Sequence, residues 1–146
     1  MRRLTLTLAT LVVGLLIPAP ANAAVVAAGP GASSTTYVTP VAVAPVGGPL
    51  EFVNGDIAPH NVIAMEDVLS QKDAKKASWC DGYKVVKKKK NGKKKVRYKN
   101  CPLFWSETVG LGGTAEVLGL ENLESGEQYA FFCSIHPGMQ GTLIAG

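Results

Sequence analysis

Apolar positions along this chain come in short runs broken by glycine and proline, and within the runs they alternate rather than recur at helical spacing. Alternation with Gly/Pro punctuation predicts strands over residues 36–43, 50–54, 61–65, 103–108, 114–118, 127–133 and 141–145. Pro40 marks the first of these as an edge strand. Residues 66–78 are polar and leave room for a short helix. About seven short strands joined by turns imply an all-β sandwich. The stretch 24–35 is small and unpatterned and reads as a flexible tail. The apolar run 4–17 is shorter than the roughly 20 residues a membrane helix needs. With Arg2 and Arg3 before it and Ala21-Asn22-Ala23 after it, it reads as a signal peptide over 1–23. The predicted organisation is therefore signal, tail, and one domain over 36–146.

Charge changes this picture at one place. Residues 72–99 hold thirteen Lys and Arg against two Asp, a net of +11, whereas the rest of the predicted mature chain has nine acidic residues and no Lys or Arg. Inside that segment Asn91-Gly92 is a strong two-residue turn signal. It predicts a hairpin inserted at about 72–101, with Lys90 paired to Lys93, Val85 opposite Tyr98, and Lys87 opposite Val96. One face would then carry Tyr83, Val85, Val96 and Tyr98. Lys87, Lys88, Lys89, Lys90, Lys93, Lys94 and Lys95 form its basic tip, a candidate docking surface for acidic protein partners or for anionic envelope polymer or lipid. Nucleic acid is not an expected partner of an exported protein.

Cysteine use follows from the compartment. Export places the chain where disulfides persist, and three cysteines divide into a pair and one remaining thiol. Cys80 and Cys101 flank the hairpin and are the expected pair. Cys133 is left over. It opens Cys133-Ser-Ile-His136-Pro-Gly-Met139, a loop that leaves an apolar strand with a thiol, an imidazole and a thioether within seven residues. A thiolate, two imidazoles and a weak axial thioether are what a one-electron copper site requires. The second imidazole has to be His60, since the chain has only two histidines. Taken singly, a lone Cys, Met or His has an ordinary packing role; their conjunction points to a single metal site with His60, Cys133, His136 and Met139 as ligands.

Pro59-His60-Asn61 and Tyr129-Ala-Phe-Phe-Cys133-Ser-Ile-His136-Pro-Gly-Met139-Gln-Gly141 resemble the cupredoxins, the small blue copper proteins. The two-residue gap between His136 and Met139 is similar to that of the amicyanin branch. The resemblance implies a Greek-key β-sandwich with one type 1 copper ion, Cu(I)/Cu(II), at one end. It implies that Asn61 ties the first ligand's loop to the ligand loop near Ser134. It further implies that His136 is the exposed electron exit, with Pro59 and Pro137 on its rim. The implied function is single-electron transfer between protein redox partners by a periplasmic or extracellular monomer, with no catalysis of its own. The alternative is a carrier or store of Cu(I). The lysine hairpin departs from the family pattern.

Overall fold

The protein is described by a computed structural model over residues 23–146, so the predicted signal peptide lies outside the described residues except for Ala23. The strands are β1 (Ala24–Ala28), β2 (Val41–Ala44), β3 (Leu50–Asn54) and β4 (Ile63–Ala64). A single helical turn, α1 (Gln71–Ala74), follows, capped by the Ser70 side chain. Then come β5 (Lys84–Lys88), β6 (Lys94–Tyr98), β7 (Trp105–Ser106), β8 (Thr114–Leu118), β9 (Gln128–Phe132) and β10 (Gln140–Ala145).

Eight of these strands join in the order β1-β3-β8-β7-β4-β9-β10-β2. The sheet curls until its two edges meet: the amide of Val38, just before β2, donates to the Ala27 carbonyl in β1 at 2.8 Å. The result is a Greek-key β-sandwich. Its interior is filled by inward-facing residues of both halves, among them Val26, Phe52, Phe104, Phe131 and Leu143, all with no exposed surface. Tyr37 packs edge-on against Phe131 with ring centroids 5.0 Å apart. Burying each such side chain contributes on the order of 2 kcal/mol.

The predicted tail over 24–35 is corrected by the structure. Residues 24–28 form β1, parallel to β3 from Ala24 opposite Leu50 to Ala28 opposite Asn54. Val26 and Ala28 point into the core. An Ala/Val strand has too little contrast between its faces to show a clear period, and the pairing with β3 decides it. The first predicted strand begins later than expected, at Val41, because Pro40 ends the preceding bend. It does lie at a sheet edge, paired with β10. Strands 61–65 and 103–108 are trimmed to β4 and β7.

The hairpin register is also corrected. Lys84 pairs with Tyr98, Val86 with Val96, Lys87 with Lys95 and Lys88 with Lys94, one residue away from the expected pairing. The amide of Gly92 donates to the Lys89 carbonyl at 3.0 Å, and that of Lys89 to the Lys93 carbonyl at 2.8 Å. The loop is thus three residues, Lys90-Asn91-Gly92, closed by Gly92 at φ +76°. A turn ending in a left-handed glycine is the alternative to a two-residue loop that the same dipeptide allows. Consequently the predicted apolar face does not form, and like charges face each other on both sides of the ribbon.

The root of the hairpin is held by a second small core of Leu69, Ala74, Cys80 and Cys101, against which Trp79, Tyr83 and Tyr98 pack. Cys80 and Cys101 form a disulfide. Gln71 clamps the root from the side, its carboxamide bonding both the amide and the carbonyl of Tyr98.

Candidate metal centre

Two connections meet at one end of the sandwich. One runs from β3 to β4 and carries His60. The other runs from β9 to β10 and carries Cys133, His136 and Met139. Each is locally fixed. The His60 amide donates to the Val109 carbonyl at 3.1 Å and the Val109 amide to the His60 carbonyl at 3.0 Å. In the second loop the Cys133 amide donates to the Met139 carbonyl at 3.0 Å, and the Met139 amide to the His136 carbonyl at 2.8 Å. Pro137-Gly138 makes that tight return.

The structure brings three of the four predicted donors together, and holds Met139 in the same loop by its backbone. His60 Nδ1 lies 3.6 Å from Cys133 Sγ, His136 Nδ1 lies 3.8 Å from Cys133 Sγ, and the two nitrogens are 3.2 Å apart. A point equidistant from three atoms at those separations lies about 2.1 Å from each, close to metal–nitrogen and metal–thiolate bond lengths. Two imidazole nitrogens and a thiolate with no carboxylate among them are a donor set that suits copper. His60, Cys133 and Met139 are buried, whereas His136 is partly exposed.

Asn61 and Ser134 are joined by hydrogen bonds. The Asn61 carboxamide donates to Ser134 Oγ and to Thr108 Oγ1, each at 2.9 Å, and its oxygen accepts from the Ser134 amide at 2.9 Å. The residue after His60 therefore fastens the residue after Cys133. Tyr37 donates its hydroxyl to the Asn61 carbonyl. Burial, followed by the neighbouring Cys133, pushes the Tyr37 phenol well above the ordinary tyrosine range.

Asp56 is the site residue that the sequence analysis missed. Its carboxylate, only 2% exposed, accepts from His60 Nε2 at 2.9 Å. It also accepts from the backbone amides of Gly31, Ser33 and Ile57. The His60 bond, then these amides, hold its carboxyl well below the usual range, against the opposing effect of burial. An imidazole that donates from Nε2 keeps Nδ1 free to ligate, and a carboxylate partner raises its basicity. Asp56 lies four residues before His60 in what reads as a plain Asn-Gly-Asp turn, so only that short spacing could have signalled it. Ile135, between Cys133 and His136 in the ligand loop, is 46% exposed.

Residues 24–146 match the family described as copper binding proteins, plastocyanin/azurin family. The chain belongs to that family. It is a cupredoxin, and its cofactor is copper. Among solved structures it is similar to a purple cupredoxin from Nitrosopumilus maritimus, at 20% identity over 84% of this chain and 98% of that one, with a TM-score of 0.50. It is also similar to an oxidised amicyanin variant, at 16% identity over 88% of this chain and 87% of that one, with a TM-score of 0.52. At these identities the likeness is one of fold. No curated protein matches the chain. The fold and family expected from the ligand loop are therefore those found, and the basic hairpin is an elaboration of the cupredoxin sandwich.

Proposed function

We propose that this cupredoxin is an exported carrier of single electrons, whose copper would be held by His60 Nδ1, Cys133 Sγ, His136 Nδ1 and the Met139 thioether. Copper supplies a reversible one-electron couple between Cu(I) and Cu(II). The chain's own residues supply rigidity. Asp56 fixes the His60 ring, Asn61 locks one ligand loop to the other, and the β9–β10 return holds Cys133 against His136. A donor set that cannot relax between the two oxidation states keeps reorganisation small.

Electrons enter and leave at the partly exposed His136. The loops around this end each present an apolar residue: Ile57 is 87% exposed, Leu111 65% and Ile135 46%. Together with Pro59 and Pro137 these offer a dry contact for a redox protein. No third imidazole is available for a second copper centre, so catalysis is assigned to partners rather than to this chain. Export rests on the signal-like start of the sequence. The hairpin, inserted in the long connection between β4 and β7, serves to dock the molecule on an acidic or anionic neighbour.

The observation that carries this reading is the convergence of three soft donors from two distant segments at 3.2 to 3.8 Å. The test is the visible spectrum of purified protein with Cu(II), before and after ascorbate. An intense blue or purple thiolate band that bleaches and returns is expected, and Cys133→Ser should remove it. Retained colour in that variant would refute the ligand set. Tight Cu(I) binding with no coloured oxidised state would instead identify a copper carrier.

A further inference from the structure

Between Lys84 and Lys99 the chain has nine Lys, one Arg and no acidic residue. All five residues of β5 and four of the five in β6 are exposed. Lys87 faces Lys95 on one side of the ribbon, and Lys88 faces Lys94 on the other, because successive side chains in a strand alternate. Like charges placed directly opposite are destabilising, and little within the chain relieves them. Among the described residues the only hairpin cation with an acidic partner is Lys84, 2.6 Å from Asp81 at the root. The rest of the described chain has nine acidic residues and no other Lys or Arg outside 72–99. A polyanion is therefore repelled by the body and attracted by the arm.

The composition of the arm narrows the partner. Protein interfaces are depleted in lysine and anchored by buried aromatic residues, whereas the tip 87–95 has only Lys, Asn and Gly. Surfaces that enter a bilayer present Trp, Phe or Leu. Here the exposed apolar residues are Val85, Val86 and Val96, and they lie towards the root. Nine of the ten cations are lysine, a hydrated point charge, rather than the planar fork of arginine that clamps one anion. Charge on both faces and around the tip fits a chain that can wrap, while a flat surface meets only one face.

We propose that the 84–99 hairpin is a binding arm for a linear, multiply charged anionic polymer, which contacts both faces of the ribbon. This rests on the docking role given to the hairpin above and not on the copper ligands. The disulfide and the Gln71 clamp fix the root of the arm to the domain.

The test titrates the full mature protein, copper-free and copper-loaded, with long-chain inorganic polyphosphate and with vesicles of phosphatidylglycerol at equal phosphate concentration. Two variants are compared, Lys87→Gln/Lys95→Gln on one face and Lys88→Gln/Lys94→Gln on the other. These lysines are exposed and their loss relieves repulsion, so both variants should fold, and the unchanged thiolate band checks this. Polyphosphate should bind with a steep salt dependence, vesicles much more weakly. Each pair variant should reduce the slope of log affinity against log salt by about 1.4, at roughly 0.7 per lost contact for a single strand. Equal or tighter binding to vesicles, or sensitivity to one face only, would overturn the proposal in favour of a planar membrane surface. No binding to polyphosphate would overturn it and leave an acidic protein as the arm's partner. Neither result alters the spectrum on which the copper reading depends.

Discussion

At residue scale the copper end depends on polar groups placed where apolar ones would ordinarily sit. Asp56, His60 and Asn61 are all at most 3% exposed, and each has its hydrogen bonds made within the fold. Tyr37 is the link from this group to the sandwich interior, since its hydroxyl holds the Asn61 carbonyl while its ring packs on Phe131. Its phenol is raised by burial, so it stays neutral in the folded state where an unfolded chain would ionise at about pH 10. The folded state then binds more protons than the unfolded one above that pH, and stability falls as pH rises. The expected slope is about 1.4 kcal/mol per pH unit above pH 10 from this residue alone. The stability associated with the neutral phenol is present in full below pH 10 and is lost as pH rises above it. Chemical denaturation of the wild type and of Tyr37→Phe between pH 8 and about 11.5 measures it: the variant should be less stable at pH 8 and have a shallower alkaline loss. Parallel curves would mean that Tyr37 ionises freely.

Among the elements, the hairpin is the one whose stability is separable. A two-stranded ribbon is marginal by itself, and the like charges facing each other in this one weaken it further. Its order comes from the root, where the Cys80–Cys101 bridge closes a loop of 21 residues. A cross-link over a loop of that size contributes about 3 kcal/mol. Reduction, or Cys80→Ala with Cys101→Ala, should raise amide hydrogen exchange across 84–99. Exchange in β9 and β10 should remain slow, because those strands lie in the main sheet. Uniform loosening of both regions would show that the insertion is part of the same cooperative unit as the sandwich. The ligand-bearing strands are built differently. Gly141 lies against Phe131 so closely that an added Cβ would sit 2.4 Å from its ring, and this close approach lets β10 return directly beside β9 after Met139.

For the molecule as a whole, the donors of the copper end come together only in the folded state. His60 and Cys133 are 73 positions apart, and an unfolded chain offers no comparable site. Metal that binds the native state alone stabilises it by mass action, by about 4 kcal/mol when free metal exceeds its dissociation constant a thousandfold. Thermal unfolding should therefore shift upward on copper loading and return on chelation. Cys133→Ser should lose most of this shift while the copper-free midpoint changes little. A shift of equal size in that variant would place the stabilising metal elsewhere. Charge is likewise organised over the whole molecule, with the positive arm on one flank and an acidic remainder. The protein approaches a charged partner as a dipole, and its association rates should be screened by salt over about 8 Å at physiological strength.

Much of this could be read along the chain. The alternation over 50–54 and 114–118 marks β3 and β8 to the residue, since more buried and more accessible positions alternate along each. The loop from Cys133 to Met139 declared its metal chemistry because the donor types are rare and closely spaced. With two histidines in the chain, His60 followed by count. Other features needed the fold. Strand β1 has small residues whose pattern is nearly blank, and only the open edge of β3 makes it a strand. Asn-Gly permits loops of two or three residues, and the register of the basic ribbon was set by how its root sits on Gln71 and the disulfide core. Asp56 gained its role when the segment at Gly31 and Ser33, some 25 positions away, supplied amides to its carboxylate. The sequence determined which side chains can bind copper. Which carboxylate orients them, and which faces of the ribbon bear charge, was decided by contacts between segments that no local pattern records.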